Sequence, residues 1–226
     1  MKRAVVLLSG GLDSSTVAAV ASSDGYEIFA LTIDYNQRHR IEIESAKRVV
    51  KSIGAIQHVI LPLNLRLFGG SSLTDDWEVT KNVPVDKIGN SIPTSYVPAR
   101  NIIFLSVAFA YAETIQAEKI YIGVSAIDYS GYPDCRPEFL TAFENMAKLA
   151  TKVGNEGGKI SIVAPLVHLD KTAAIKLGLK LGVDYSLTHT CYDPADDGLA
   201  CGVCESCLLR LQAFKNAGIK DPIKYA

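Results

Sequence analysis

The chain has 226 residues, a formal net charge of −1, and 48% hydrophobic residues. That length suits one large α/β domain with at most a small appendix, and the apolar fraction supports a sizeable core. Near-neutral charge without a long basic run weighs against a nucleic-acid backbone as main partner. The longest apolar segment, Ile102 to Ala112, falls short of the about 20 residues a bilayer span needs. Lys2 and Arg3 before a short apolar run do not read as a signal peptide, so a cytosolic protein without membrane association is expected.

Val5 to Leu8 reads as a buried parallel strand. Ser9-Gly10-Gly11 turns the chain, Leu12, Asp13, Ser14 and Ser15 follow, and Thr16 to Ala21 reads as helix. Asp or Ser at such a start is expected to cap orphan N–H groups. The remaining N–H groups and the helix dipole favour an anion, and the glycines let a phosphate come close. The alternative is an ordinary serine-capped turn. No Gly-Lys-Ser/Thr follows, and no third spaced glycine appears, so the string is neither of the two commonest phosphate-binding fingerprints.

Tyr26 to Ile33 reads as a second strand ending in the polar run Asp34 to Arg40. Ala46, Val49, Val50 and Ile53 recur at helical spacing before Gly54, and Gln57 to Pro62 reads as a third strand. Two right-handed crossovers make a parallel sheet, whose ligands sit beyond the carboxyl ends of the strands. Residues 64–99 keep no period, and a loop that long is a lid or partner-contact segment. Arg100 and Asn101 open a helix whose body to Ala112 is apolar on nearly every side, predicting burial between the sheet and another layer. Ile120 to Val124 reads as the fourth strand. It runs into the loop Ser125 to Phe139, rich in acids and aromatics, then a helix to about Val153, a strand Ile160–Val163 and a helix Lys171–Leu181. The expected fold is a doubly wound, parallel, five-stranded α/β sheet over residues 1–184, with a helical C-terminal metal-binding segment over 185–226.

Cys191, Cys201, Cys204 and Cys207 carry the second motif. Two-residue gaps plus a distant fourth thiolate suit tetrahedral zinc with no open position, hence a structural role. An iron–sulfur cluster is the rival, but the cysteine followed by proline is missing. Cys135 stands apart.

The loop string resembles the signature of the PP-loop ATP pyrophosphatases. The resemblance sharpens over the whole chain: Ser9 to Ser14, Asp34-Tyr35 with Gln37-Arg38-His39, Val97 to Asn101, Asp128 to Arg136, Pro165-Leu166 with Lys171, and the four cysteines. In that order they are similar to the 7-cyano-7-deazaguanine synthase family of queuosine precursor synthesis. Asn36 departs from the family's usual glycine, and Asn tolerates the left-handed backbone. The resemblance implies an adenine nucleotide alpha hydrolase-like fold and an ATP-dependent carbon–nitrogen ligase. The carboxylate of 7-carboxy-7-deazaguanine becomes a nitrile with ammonia, through an adenylated intermediate, with Mg²⁺, Zn²⁺ and a homodimer.

On that resemblance Leu8, Ser9, Gly10, Gly11, Leu12, Asp13, Ser14, Ser15 and Arg38 bind ATP, and Asp13 holds Mg²⁺. Arg100 and Lys171, with Arg38, face the developing negative charge. His39 is a candidate for proton transfer. Asp128 or Asp134 can accept the paired N–H donors of a guanine-like base, Tyr132 and Phe139 can stack on it, and Arg136 can meet its carboxylate. Two other functions compete: a tRNA-thiolating PP-loop enzyme, which needs a catalytic cysteine pair and a basic face, and a nucleotide sensor without chemistry.

Overall fold

The computed structural model describes residues 2–38, 40–89, 91–125 and 132–226. The strands are β1 (Arg3–Leu7), β2 (Glu27–Asp34), β3 (Gln57–Pro62), β4 (Lys119–Tyr121) and β5 (Ser161–Val163). The helices are α1 (Leu12–Ser23), α2 (Ile41–Ile53), α3 (Arg100–Thr114), α4 (Pro137–Ala150), α5 (Lys152–Asn155), α6 (Lys171–Lys180) and α7 (Glu205–Asn216). All strand pairs are parallel, in the order β3-β2-β1-β4-β5. The order reverses between β1 and β4, and the crevice at such a switch point is where open α/β sheets place ligands.

Alternate residues of each strand feed two cores, as the period of two requires. Val5, Leu7, Leu31, Ile33 and Ile120 pack toward α3 and α4. Ala4, Val6, Leu8, Ile28, Ala30 and Tyr121 pack toward α1, α2 and α6. This is the doubly wound sheet that the strand–helix pattern predicts.

Several boundaries differ from expectation for identifiable reasons. β4 ends at Tyr121 rather than Val124. Beyond it the chain runs close under α1, where a Cβ on Gly123 would lie 3.1 Å from the Ser14 amide nitrogen. α3 is not buried all round. Leu105, Ala108 and Ala112 face the core, whereas Ile102, Ser106 and Ala110 face outward, with Ile102 43% exposed. The sheet covers one side of this helix, and an apolar composition cannot show which side lacks a partner. The helix expected to reach Val153 stops at Ala150, because Thr151 turns extended and its hydroxyl caps α5 through the Gly154 amide at 3.2 Å.

Among the described residues of 64–99, Leu73, Val79 and Val97 lie in the interior, while Leu67, Phe68 and Ile92 stay exposed. Leu73 accepts from the Arg38 amide at 3.0 Å, and the Asn82 amide donates to Val203 at 2.8 Å. The C-terminal residues dock on the α/β layer through Ala213 and Phe214, which meet Leu12, Ile175 and Tyr185. Arg210, 1% exposed, forks onto Asp221 at 2.7 and 2.9 Å and reaches the Tyr185 carbonyl at 3.2 Å. Among the described residues no helix is long and apolar enough to cross a membrane.

Candidate active site

The turn after β1 presents backbone rather than side chains. Gly11 is the N-cap of α1 and makes no side-chain cap bond. Ser14 and Ser15 do not cap either: their hydroxyls donate back to the Gly11 carbonyl at 3.1 and 2.7 Å. Asp13 is held by Lys171, whose ammonium donates to it at 2.7 Å. The Gly11 amide donates to the Ser9 hydroxyl at 3.3 Å and the Ser15 amide to the Gly11 carbonyl at 3.1 Å, which leaves the N–H groups of Leu12, Asp13 and Ser14 to an anion at the positive end of the helix. Gly10 has φ +87°, and a Cβ there would lie 2.4 Å from both the Ala46 nitrogen and the Glu42 carbonyl oxygen. The loop is thus pressed against the backbone of α2, which only glycine permits.

A cavity of about 200 Å³ opens over the carboxyl ends of β1, β2 and β4. At one end lie Ser9, Gly11, Leu12, Asp13 and Ser14, with Leu8 beneath them. The other end gathers Tyr35, Glu42, Arg100, Asn101, Phe104, Tyr132 and Cys135. His189, Thr190 and Tyr192 from the C-terminal stretch complete the wall.

The far end holds charge in apolar surroundings. The Arg100 guanidinium sits 5.9 Å from the ring centres of both Tyr35 and Phe104, within cation–π range. Burial pushes the Glu42 carboxyl up to about 7, against the pull of Arg100 and of the Gln37 amide, which donates to it at 2.5 Å. Burial likewise pushes the Tyr35 hydroxyl and the Cys135 thiol up to about 12, so both stay protonated at neutral pH. Tyr132 is fixed by a 2.9 Å bond between its hydroxyl and that of Ser95 and by an edge contact to Tyr96. Arg100 follows directly on Ala99, whose φ of 57° is left-handed. His189 Nε2 and Thr190 Oγ1 are buried without a hydrogen-bond partner among the described residues. Buried polar atoms are normally paired, so these two suit a polar ligand in the cavity.

The structure therefore gathers Leu8, Ser9, Gly11, Leu12, Asp13, Ser14, Arg100 and Tyr132 around one space, with Gly10 and Ser15 behind the loop and Lys171 against Asp13. It does not bring in four other predicted residues. Arg38 turns away, its guanidinium donating to the Trp77 carbonyl at 2.8 Å and lying 3.8 Å from Asp193. Asp134 accepts from the Asn101 amide at 3.1 Å and so caps α3. Arg136 is exposed at the start of α4. Phe139 lies inside α4 rather than in a loop and packs on Phe143, centroids 5.8 Å apart. Asp128 and His39 lie outside the described residues. Glu42, Asn101, Phe104, His189, Thr190 and Tyr192 also line the cavity, although no local motif marks them as site residues in the chain. Glu42 looks like any acid at a helix start, and only the fold turns it inward. Asn36 has φ 59°, a left-handed backbone that asparagine tolerates in place of the family's usual glycine.

The four cysteine sulfurs lie within 4.8 Å of one another. Tetrahedral thiolates on zinc stand about 3.8 Å apart, from a zinc–sulfur distance of about 2.3 Å. Backbone amides of Cys201, Cys204 and Asp193 donate to these sulfurs at 3.2 to 3.4 Å, which favours thiolates. The neighbouring Cys191 and Cys207 thiols pull Cys204 far below the ordinary thiol range. The donor set fits a closed, thiophilic metal. Its segment also touches the loop, since the His189 amide donates to the Gly10 carbonyl at 3.0 Å.

The family model described as "Queuosine biosynthesis protein QueC" matches residues 3–218. The chain belongs to the QueC family. Similar proteins include the 7-cyano-7-deazaguanine synthase of Desulfatibacillum aliphaticivorans, 55% identical over 225 residues that span 99% of this chain and 97% of that one. That of Geobacter metallireducens is 54% identical over 226 residues, 100% of this chain and 94% of the other. Among solved structures, an NMN synthetase from Francisella tularensis superposes with a TM-score of 0.51 at 19% identity, over 97% of this chain and 78% of that one. A predicted tRNA methyltransferase subunit from Methanocaldococcus jannaschii gives 0.51 at 16%, over 100% and 92%. At those identities the likeness is one of fold. Membership in the QueC family covers both ends of the cavity and the cysteine cluster at once.

Proposed function

We propose that the chain is a 7-cyano-7-deazaguanine synthase, an ATP-dependent ligase that turns the carboxylate of 7-carboxy-7-deazaguanine into a nitrile with ammonia in queuosine biosynthesis. The observation that carries this is full-length membership in the QueC family together with one cavity that joins an anion-binding helix start to a cationic, aromatic pocket.

The N–H groups of the Ser9–Ser15 turn and the Ser9 and Ser14 hydroxyls hold the β- and γ-phosphates. Cleavage between the α- and β-phosphates leaves an acyl adenylate, and this needs positioning and charge neutralisation rather than a protein nucleophile. Asp13 would hold Mg²⁺, which supplies positive charge to the phosphates when bound. Lys171, 2.7 Å from Asp13, orients that carboxylate. Arg100 meets the substrate carboxylate, and Tyr132 stacks on the deazapurine. The four cysteines would hold Zn²⁺, which fastens the C-terminal segment against the loop. Free ammonia is the nitrogen donor. Exposed Ile102, Leu67 and Phe68 suit a homodimer contact in a cytoplasmic enzyme. Cys135 stands apart from the four clustered cysteines, which leaves no separate cysteine pair for sulfur transfer and disfavours a thiolating enzyme.

Incubation with ATP, an ammonium salt and 7-carboxy-7-deazaguanine is expected to yield the nitrile and pyrophosphate, read by mass spectrometry. Intact ATP in that mixture would contradict the reading. Purified protein is expected to carry about one zinc per chain, and iron with visible absorbance would contradict that part.

A further inference from the structure

The proposed reaction makes an unusual demand on protons. Ammonia attacks the acyl adenylate, a carbon–nitrogen bond forms, the carbon–oxygen bond to AMP breaks, and one N–H proton must go. The amide oxygen then takes a second AMP from ATP with loss of pyrophosphate. That carbon–oxygen bond breaks, the carbon–nitrogen bond becomes triple, and the last two N–H protons leave. At neutral pH the nitrogen also arrives mostly as ammonium, which carries one proton more. The cavity therefore needs an anion that attracts a small cation and a base that takes its proton.

Among the described residues two carboxylates line it, Asp13 and Glu42. Asp13 is engaged by Lys171 at 2.7 Å. Tyr35 and Cys135 hold their protons too tightly to accept another at neutral pH. Arg100 is itself a cation. Glu42 is a carboxylate on the cavity wall, on the first turn of α2, directly behind the loop: its own carbonyl is one of the atoms that Gly10 leaves room for. Gln37 fixes its orientation by donating to one carboxylate oxygen, Oε1.

We propose that Glu42 is the ammonium-binding group and general base of the cavity: it receives ammonium, takes a proton, and delivers ammonia to the activated carboxylate. This rests on the ligase reading above. Glu42 passes the accepted proton to water before the next step, and in the same way it takes the one N–H proton lost on amide formation and the two lost on nitrile formation. Among the described residues the groups facing it include Arg100 from α3, Tyr35 and Asp34 from the end of β2, and Gln37, with Asp34 itself paired to Arg40. Arg100 lowers the cost of the charge, and burial keeps it high enough for the carboxylate to accept a proton near neutrality.

The test is the pH profile of kcat/KM for total ammonia, measured in the whole enzyme from about pH 6 to about pH 9. The wild type is expected to rise tenfold per pH unit up to about 7 and then level off. Glu42→Gln is expected to lose about 100-fold at neutral pH, with KM for ATP unchanged, and to keep rising without a plateau, because it must wait for free ammonia. Hydroxylamine, largely uncharged at neutral pH, is expected to rescue Glu42→Gln as hydroxamate formation. Glu42→Asp keeps the plateau at reduced kcat. The Gln variant is also expected to melt at least as high as wild type at alkaline pH. The folded carboxyl lies above its ordinary value, so its charge opposes folding as pH rises through that window, and the amide removes this. An unchanged profile in Glu42→Gln, or a loss that hydroxylamine does not rescue, overturns the proposal. So does a wild-type profile without a plateau, which needs no variant to fold. Absence of nitrile from wild type at every pH instead faults the ligase reading, and Glu42's role with it.

Discussion

The two ends of the cavity are built from different materials. The end proposed for phosphate, Ser9 to Ser15, is one continuous string that offers backbone N–H groups at a helix start without a side-chain N-cap. The end proposed for substrate is made of side chains drawn from the end of β2, α2, α3 and Tyr132. A site made of backbone needs contiguous glycines and small polar residues, so it is written locally. A site made of side chains is assembled by the fold, and its members look ordinary in the sequence. The first end also has no room for an added atom at Gly10, whereas the second depends on buried charge and on orientation.

That contrast breaks most sharply at Gly10. Gly10→Ala places a methyl group 2.4 Å from two backbone atoms at a left-handed residue. It is expected to destabilise the protein by about 3–5 kcal/mol in urea melts and to abolish ATP binding. A mild effect would mean that the loop is not pressed on α2. Asp13→Asn leaves the Lys171 ammonium, 8% exposed, without its counter-charge. A loss of about 2–3 kcal/mol is expected, together with a large fall in magnesium-dependent turnover. At the substrate end the effects shrink. Ala99→Gly relieves a left-handed alanine and is expected to stabilise by about 1 kcal/mol, while kcat/KM falls about threefold because Arg100 is held less firmly. The smallest effect is expected at exposed Arg136, where Ala substitution changes KM for the deazapurine by less than about twofold. A large rise in that KM would move the carboxylate contact from Arg100 to Arg136.

Legibility followed the same division. The strand–turn–helix opening, the left-handed Asn36 and the cysteine tetrad are visible in the chain because each depends on close spacing. That the sheet is parallel follows from its crossovers, whereas the strand order is set by packing. What stayed hidden depends on packing. Asp134 looks like a base-reading acid until its carboxylate is seen capping α3. Phe139 looks like a stacking ring until α4 packs it against Phe143 at the edge of the core. Arg38 sits beside the family's signature residues, yet residues 64–99 supply the carbonyl that turns it away. Conversely, Glu42 and His189 face the cavity from elements whose sequences resemble a solvated helix start and a polar linker.

The central claim is that one cavity holds ATP at its backbone end and the deazapurine carboxylate at its side-chain end. A crystal structure with α,β-methylene ATP and 7-carboxy-7-deazaguanine tests it most directly. The account predicts the terminal phosphates on the Ser9–Ser15 amides and the substrate carboxylate between the α-phosphate and Arg100, with Glu42 beside it. Phosphates bound away from that loop, or the deazapurine in a separate pocket, would contradict it.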